Sequence, residues 1–382
     1  MKLLFISTFL DSPIHCNRAP YNEQLIDRLS EDMDIQVIRP ISWIDWLSYI
    51  VNRSHKMKPV SRKKSIRTSY PVLFYMPFIG ARINGYLYFL SIFIWSLNKV
   101  RNADALYASW LYPDGYAVML LARLFKKPYM VQALGSDINE LLFNSATKKR
   151  ILSVVHNASV VSVVSQDLKH KLIDQGVPEA KIAVIYTGIE IANFYPVKKD
   201  IAEKNLGIVS NKRILYVGNL KRAKGINDLV VAASKLYEKR KDFELCIAGS
   251  GPEKSFIQQY SKQYPDLIKS LGIVDHHKLY EWINAATCVC LPSYSEGVPN
   301  VLLEAMVCET NIVSTKVGGI PEVIADSDRY LIEAGDESSL IDRLNIMLDE
   351  VSFVTQPKST ISSYKQMAYL VKDKLLTLSH RK

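Results

Sequence analysis

One long stretch of this chain, from Trp46 to Ala103, contains no Asp or Glu. Ten of the 48 Lys and Arg residues fall there, and the rest of the chain balances the remaining basic residues against all 38 Asp and Glu. The net charge of +10 therefore belongs to one segment. The ten are Arg53, Lys56, Lys58, Arg62, Lys63, Lys64, Arg67, Arg82, Lys99 and Arg101.

Three interpretations of this basic segment are open: an anionic membrane surface, a nucleic acid, or a solvated loop beside a buried helix. No base-reading motif accompanies the charges, which disfavours nucleic acid as a partner. Each Lys or Arg near an anionic membrane contributes on the order of 1 kcal/mol to binding. We therefore expect attraction to an anionic membrane surface.

Long hydrophobic runs are also scarce. The stretch from Tyr86 to Leu97 is aromatic and aliphatic, but it has about half of the ~20 residues that a spanning helix needs. Taken alone, this stretch is better explained as a buried helix than as one inserted in a membrane. The residues from Met1 to Asp11 lack a signal-peptide cleavage site and predict a first strand, so we expect a cytoplasmic protein, peripheral at the inner face of the plasma membrane.

Cysteine is rare as well, with five residues scattered over 382. Three of them lie in or beside apolar, strand-like runs, which predicts reduced buried thiols rather than disulfides or a metal site. The Cys288-x-Cys290 pair is interpreted as part of the core. The five are Cys16, Cys246, Cys288, Cys290 and Cys308.

Strand-like and helical runs alternate along both halves of the chain, and a chain of this length exceeds the usual limit of about 250–300 residues for one core. Alternation predicts parallel sheets covered by helices, with ligands at the carboxyl ends of the strands. The predicted strands are Leu3 to Ser7, Ile35 to Arg39, Ala105 to Ala108, Tyr129 to Ala133, Val160 to Val164, Ile182 to Ile185, Ile214 to Val217, Phe243 to Ala248, Thr287 to Leu291 and Ile312 to Ser314. We expect an α/β protein with two Rossmann-like domains whose parallel sheets face a central cleft.

The most specific pattern begins at Pro292 and reads Pro-Ser-Tyr-Ser-Glu-Gly-Val-Pro-Asn-Val-Leu-Leu-Glu-Ala-Met, with Gly-Gly-Ile-Pro-Glu further on. It places Glu296 in the loop after a predicted strand and Glu304 on the following helix. Gly297 permits close backbone approach and Pro299 is tolerated in a first helical turn, so open backbone amides there suit an anion. A carboxylate beside an anion site is suited to sugar hydroxyls, which donate hydrogen bonds to it. The pattern predicts a nucleotide-sugar site.

This segment resembles the Glu-x7-Glu signature of the family 4 retaining glycosyltransferases, which have the GT-B fold. The resemblance implies that Glu296 contacts the hydroxyls of the donor sugar and that Glu304 contacts the ribose of the nucleotide. It also implies donor contacts from the residues between and beside them: Gly297, Val298, Pro299, Asn300 and Leu303.

A second motif, Tyr-Val-Gly-Asn-Leu-Lys-Arg-Ala-Lys-Gly, starts at Tyr216 and has a glycine turn at Gly218 and several cations, as a diphosphate site requires. It resembles the family pattern Gly-Arg-Leu followed by Lys-Gly, whose Lys matches Lys224. Asn219 stands where the family has Arg. Either Arg222 replaces that cation or the site holds the diphosphate with one cation fewer, and a solvated basic turn is the alternative for the whole motif.

Two further segments of the second half complete the expected donor site. Ala-Gly-Ser-Gly-Pro-Glu, which contains Gly249 and Gly251, looks like the Gly-x-Gly-Pro loop of the family. The residues after Leu271 and Gly272 resemble the segment that packs on the nucleotide base through backbone contacts, so the base itself cannot be identified.

In the first half, two strand ends carry Trp-Leu-Tyr-Pro-Asp-Gly-Tyr, which contains Asp114, and Ala-Leu-Gly-Ser-Asp-Ile-Asn, which contains Ser136 and Asp137. They resemble the family segments Pro-Asp-Gly and His-Gly-Ser-Asp, with Leu134 in place of the His. The resemblance implies that these residues lie on the acceptor side. Helix capping is an equally open explanation, because Ser and Asp are preferred at caps.

Together these observations predict a retaining glycosyltransferase that moves a sugar from a UDP- or GDP-linked donor to a hydroxyl of a glycan or lipid-linked saccharide. The predicted parts are an acceptor-side domain over residues 1–193, a donor domain over 194–360, and a helical segment over 361–382 that returns to the first domain. We expect no cofactor and no metal, with Glu296 and Lys224 carrying the chemistry. A nucleotide-sugar epimerase of similar fold and a non-catalytic donor-binding partner protein are the alternatives.

Overall fold

The computed structural model describes residues 1–14, 20–51, 62–63, 66–77, 80–189, 193–349, 355, 357–358 and 363–379. It divides into two compact units: Met1–Gly188 with Tyr364–Lys382, and Ile189–Ser363. The sequence-based divisions, after residues 193 and 360, fall close to these positions. Five residues named above lie outside the described ranges: Cys16, Arg53, Lys56, Lys58 and Lys64.

The first unit contains a seven-stranded parallel sheet and a separate two-stranded ladder. In chain order its strands are β1 (Lys2–Ile6), β2 (Asp34–Ile38), β3 (Ile41–Ser42), β4 (Arg67–Ser69), β5 (Val72–Leu73), β6 (Ala105–Ala108), β7 (Tyr129–Ala133), β8 (Val160–Val163) and β9 (Ile182–Val184). The spatial order of the large sheet is β4-β2-β1-β6-β7-β8-β9, and β3 pairs with β5. All six strands predicted in this half are confirmed. The short strands β3, β4 and β5 were missed because two or three residues are too few to show alternation.

Helices cover both faces of this sheet. They are α1 (Pro20–Leu29), α2 (Trp43–Val51), α3 (Asn84–Asn102), α4 (Tyr116–Phe125), α5 (Lys148–Asn157) and α6 (Gln166–Ile173), joined by the last helix of the chain, α15 (Tyr364–Ser379). Side chains of β1 alternate between two apolar cores, because successive residues of a strand point to opposite faces. One core holds Leu3 and Phe5 with residues of α1 and α15, and the other holds Leu4 with residues of α3 to α6.

The second unit has a six-stranded parallel sheet. Its strands are β10 (Lys212–Val217), β11 (Phe243–Ala248), β12 (Ile268–Gly272), β13 (Cys288–Leu291), β14 (Asn311–Thr315) and β15 (Leu331–Ile332), in the spatial order β12-β11-β10-β13-β14-β15. Its helices are α7 (Lys199–Leu206), α8 (Ile226–Lys239), α9 (Lys254–Gln263), α10 (His276–Ala285), α11 (Asn300–Val307), α12 (Ile320–Val323), α13 (Ser327–Tyr330) and α14 (Glu337–Asp349). Because all its strands are parallel, the loops after β10, β11 and β13 emerge at one edge of the sheet.

The aromatic run of the first unit lies on helix α3, which is longer than predicted and only half buried. Its buried residues recur every three or four positions, as on one face of a helix, and the opposite face is apolar but exposed. The expectation of a buried helix therefore holds for one face only, because Leu90, Ile94 and Trp95 are 63%, 78% and 55% exposed. In the part of the chain that the structure describes, no helix is both long enough and apolar enough to cross a membrane.

Candidate nucleotide-sugar site

The loops after β10, β11 and β13 are tied to one another by backbone hydrogen bonds. The N–H of Gly218 donates to the carbonyl of Ala248 over 3.0 Å, and the N–H of Tyr294 donates to the carbonyl of Ala223 over 2.9 Å. A fourth loop joins them, because the N–H of Gly319 donates to the carbonyl of Gly297 over 2.8 Å. The motifs that lie far apart in the sequence therefore form one surface at the edge of the sheet.

Two glycines make this close approach possible. Gly225 has φ +67°, and a Cβ there would overlap the carbonyl oxygen of Pro292. Gly249 has φ +148°, and a Cβ there would overlap the carbonyl oxygen of Gly218. Only glycine meets both demands, a left-handed backbone and contact with a neighbouring carbonyl, so these positions hold the loops in contact.

Glu296 lies in the loop between β13 and α11, as predicted, and is 7% exposed. Its Oε2 is 2.7 Å from the ammonium of Lys224, and its Oε1 accepts a hydrogen bond of 2.7 Å from the hydroxyl of Ser293. A buried carboxylate is costly unless it is paired and hydrogen-bonded, and these two contacts supply both conditions. The structure thus brings together the two residues that the sequence predicted to be catalytic.

Lys224 lies at the end of a short 3₁₀ turn that follows β10. Its side chain is 29% exposed, so the ammonium pairs with Glu296 on one side while solvent reaches it on the other. An ammonium group has three donors, which allows it to hold an anion and Glu296 at the same time.

Glu304 lies on α11 and is 8% exposed. Its Oε1 is 3.0 Å from Nε2 of His276, the first residue of α10. Sequence reasoning missed His276. The only signal was its position a few residues beyond the Leu271 and Gly272 segment, which the sequence predicts to contact the base.

Asn219 stands where the family has a cation, and Arg222 is the candidate to replace it. Both lie on the loop after β10 and are exposed. The Arg222 side chain is 84% exposed, and its Nε lies 3.6 Å from a carboxylate oxygen of Glu253. That carboxylate also accepts a hydrogen bond of 2.8 Å from Asn227. In this arrangement Arg222 extends toward Glu253, while Lys224 is the cation that pairs with Glu296.

The start of α11 provides backbone donors beside these charges. The helix begins at Asn300, after Pro299, and none of the described side chains caps it. Val298 and Leu303 are buried and pack the loop and the helix into the unit. Ile273 lies in the loop between β12 and α10, where the sequence predicts contact with the nucleotide base, and it is 80% exposed.

In the first unit, Asp114 is fully buried and accepts hydrogen bonds from the protein itself. Its carboxylate accepts from the backbone N–H of Thr8 over 2.6 Å and from the hydroxyl of Tyr88 over 3.0 Å. Burial raises the pKa of Asp114 to about 6, although these donors favour the charged form. Its contacts fix the loop after β1.

Asp137 is buried in the same way, and burial raises its pKa to about 6. The backbone N–H groups that donate to its carboxylate belong to Leu111, Leu134, Gly135 and Ile138. Three of these four donors precede Asp137 in the chain, so its carboxylate stabilises the loops after β6 and β7 rather than capping a helix. Ser136 is exposed and makes no side-chain cap to the helical turn that follows. The acceptor-side role of the three residues remains a prediction.

The described cysteines are core residues, as expected for the Cys288-x-Cys290 pair on β13. All four described cysteines are unpaired thiols buried in the second unit. Burial raises the pKa of the Cys288 thiol to about 12. Within the described ranges, no group of three His, Cys, Asp or Glu side chains is arranged to hold a metal ion.

Comparison with known proteins places these observations in a family. The family model described as glycosyl transferases group 1 matches residues 197–362, and the model described as Glycosyltransferase Family 4 matches residues 48–193. The solved structure of sucrose-phosphate synthase from Thermosynechococcus elongatus superposes with a TM-score of 0.81 at 18% identity, covering 100% of both chains. The fold is therefore that of the GT-B glycosyltransferases.

Two relatives extend the comparison to sequence. TuaC of Bacillus subtilis (strain 168), provisionally named a teichuronic acid biosynthesis glycosyltransferase, is 27% identical over 357 residues, which cover 90% of this chain and 88% of TuaC. N-acetyl-alpha-D-glucosaminyl L-malate synthase of Bacillus anthracis is 30% identical over 259 residues, which cover 65% of this chain and 67% of the synthase. The chain belongs to the family 4, group 1 glycosyltransferases.

The raised pKa values predict a pH dependence of stability. The folded pKa of Asp114 and of Asp137 is about 6, against 3.8 ordinarily, so between these values the folded chain binds more protons than the unfolded one. Their contribution to the free energy of unfolding should rise as the pH falls from 7 to 5, by about 1 kcal/mol for each group. Urea unfolding of the wild type and of Asp114→Asn, measured across this range, checks it.

Asp114→Asn should show a smaller rise than the wild type, because an amide does not titrate in this range. The hydroxyl partners can reverse their roles and accept from the amide, so the variant should still fold. Asp174→Asn, which changes an exposed residue of the same unit, is the matched control and should keep the wild-type slope. An unchanged slope in Asp114→Asn would show that Asp114 does not titrate in this range.

Proposed function

We propose that this protein is a retaining glycosyltransferase that transfers a sugar from a UDP- or GDP-linked donor to a hydroxyl of a glycan or lipid-linked saccharide, in the synthesis of a cell-surface polysaccharide. The observation that carries this proposal is the Lys224–Glu296 pair, buried on one side and open on the other, at the edge of a parallel sheet. Ligands of open α/β sheets bind at such edges.

The donor diphosphate is held, in this proposal, by Lys224 and by the first backbone amides of α11. Charge on a leaving phosphate is stabilised by preorganised cations and amides, and their effect is largest where water is partly excluded. Membership of a glycosyltransferase family supports this use of the site over an epimerase reaction.

Glu296 is an orienting group rather than a nucleophile. Its two oxygens accept charge-assisted or hydroxyl hydrogen bonds from Lys224 and Ser293, and each such bond lowers the reactivity of the carboxylate electrons. Because these two contacts hold the Glu296 carboxylate in one orientation, it is well placed to accept hydrogen bonds from the hydroxyls of a donor sugar. We propose that the acceptor hydroxyl attacks the face from which the diphosphate leaves and passes its proton to a phosphate oxygen, so that positioning and electrostatics carry the catalysis.

The exposed pair Asn219 and Arg222 favours a second candidate, a non-catalytic protein that binds the donor and leaves it unchanged. With Asn219 in the family's Arg position and Arg222 directed to Glu253, the diphosphate would have one cation fewer. Turnover of a donor by the purified protein separates the two functions, since a binding partner would show affinity without transfer or hydrolysis.

We also propose that no divalent ion takes part. The chain has two Asp-x-Asp triplets, but Asp32 of the first forms an ion pair with Lys372 and Asp328 of the second forms one with Lys316. Neither triplet lies on the loops that carry Lys224 and Glu296.

The acceptor is presented, in this proposal, at an anionic membrane surface on the cytoplasmic side. Support comes from the exposed face of α3 and from α2, none of whose residues is buried. Phe74 and Tyr75, which lie between the two helices in the chain, are bonded to both, because Ser91 of α3 accepts from the N–H of Phe74 and Trp43 of α2 donates to the carbonyl of Tyr75. These bonds connect the two helices through residues 74–75, and exposed apolar side chains are found on all three, among them Trp46, Phe74 and Ile94.

Not all of the basic segment is available to lipid. Arg62 pairs with Glu23 and is 5% exposed, and Lys63 pairs with Glu31 over 3.1 Å. The other basic residues, among them Lys99 and Arg101 in the last turn of α3, therefore supply the attraction to anionic lipid in this proposal.

The two glutamates should have separable effects. Glu304→Ala should raise the dissociation constant of the donor nucleotide through a lost ribose contact, whereas Glu296→Ala should chiefly lower kcat by misplacing the donor sugar. Nucleotide affinity by calorimetry and turnover of the donor measure both, with Glu333→Ala as a control on an exposed carboxylate. A Glu296→Ala enzyme with wild-type kcat would remove the catalytic assignment.

Activity should survive exhaustive chelation, because Lys224 supplies the charge that a metal would otherwise provide. Lys224→Ala should lower kcat on the order of 10²-fold, the scale for losing one preorganised charge-stabilising group. Lys221→Ala, an exposed neighbour on the same loop, is the control and should be close to wild type. Turnover that is lost in EDTA and restored by magnesium or manganese would contradict this prediction.

The membrane proposal predicts salt-sensitive binding to anionic vesicles and little binding to neutral ones, because exposed charges are screened beyond about 8 Å at physiological ionic strength. Ile94→Ser with Trp95→Ser should weaken sedimentation with anionic vesicles, since both side chains belong to the exposed face of α3. Tyr369→Ser on α15, 69% exposed in the same unit, is the control. Equal binding to both lipids, or none to either, would favour a soluble acceptor.

A further inference from the structure

We infer that His276 is a positioning residue that orients the Glu304 carboxylate for the ribose of the donor nucleotide. This inference rests on the proposed function, in which Glu304 contacts the ribose. Nε2 of His276 lies 3.0 Å from Oε1 of Glu304, across 28 positions of the chain and between two helices, α10 and α11.

The direction of this hydrogen bond follows from the chemistry of the two groups. An ionised carboxylate only accepts hydrogen bonds, so Nε2 carries the proton and donates. With Oε1 engaged in this way, rotation of the carboxylate is restricted, and Oε2 is the oxygen that can accept from a ligand. The hydroxyls of a ribose are donors of the kind that such an oxygen accepts.

The imidazole is itself held in place by aromatic packing. Its ring meets the ring of Phe194 edge to face, with 5.1 Å between centroids and an angle of 67°. Phe194 is 1% exposed, so it is a fixed support for the imidazole. An oriented imidazole loses little freedom on forming its bond to Glu304, which favours a role in preorganisation.

The segment that contains Phe194 is fastened to α10 at two further points. The rings of Tyr195 and Tyr280 lie 5.6 Å apart, and the backbone N–H of Val197 donates to Oδ1 of Asn284 over 2.7 Å. These contacts follow α10 from its middle to its end, and the contact of Phe194 with His276 secures its start. The helix that carries His276 is therefore fixed along its length against the segment from Phe194 to Val197.

Two substitutions separate the hydrogen bond of His276 from its packing. His276→Phe keeps a ring against Phe194 but has no donor for Glu304, whereas His276→Gln loses the ring but retains an N–H at a similar reach. If His276 acts through its hydrogen bond, His276→Phe should weaken nucleotide binding about tenfold and His276→Gln should recover most of that loss. Because ribose binding is the same in ground state and transition state, KM should rise and kcat should change little.

The test uses calorimetry of UDP and GDP, each compared with its 2′,3′-dideoxy counterpart, on the wild type, both His276 variants and Glu304→Ala. Removing the ribose hydroxyls should cost the wild type affinity, but should cost His276→Phe and Glu304→Ala little further. An equal loss of affinity for both forms of the nucleotide in His276→Phe would show a packing role and overturn the inference. Failure of the wild type to bind either UDP or GDP would overturn the proposed function itself, and the inference with it.

Discussion

The candidate site depends on one electrostatic constraint: a carboxylate that is 7% exposed must be paired, and Glu296 is paired with Lys224 over 2.7 Å. Glu296 comes from the loop after β13, and Lys224 comes from the loop after β10, its neighbour in the sheet. The pair therefore requires these two loops to lie in contact, and Gly225 allows it because a Cβ there would overlap the carbonyl oxygen of Pro292. Chemistry and architecture are linked here, because the groups that hold the loops together are also the groups proposed to act on the donor.

The carboxylates of the molecule fall into two kinds. Glu296 and Glu304 are nearly buried but each faces a side chain that is partly exposed, Lys224 or His276, so a ligand can join the hydrogen-bond network. Asp114 and Asp137 are fully buried, and their carboxylates accept hydrogen bonds from the protein itself, mostly from backbone N–H groups. Carboxylates in strand-end loops thus face a candidate ligand site in one unit and stabilise the loops themselves in the other.

The first unit presents a second feature that a compact α/β fold does not require. An apolar face on α3, together with α2, remains exposed although the unit already buries two cores on the sides of its sheet. Contiguous exposed apolar patches often mark a binding surface. The coincidence of this face with the stretch that lacks acidic residues gives the proposed membrane attachment two independent physical supports, apolar contact and charge.

The sequence by itself determined the fold class and the local position of the main candidates. The spacing of apolar residues and the turn residues that flank them located ten strands. The same features placed Glu296 in a loop and Glu304 on a helix, because they are encoded within a few neighbouring residues. Contacts across the chain were decided only by tertiary structure: Lys224 and Glu296 are separated by 72 positions, and His276 and Glu304 by 28. The same holds for burial, since composition predicted a buried helix at Tyr86 to Leu97 and packing left one face of α3 exposed. Local patterns specify the elements, whereas the partner of each side chain depends on which elements the sheet brings side by side.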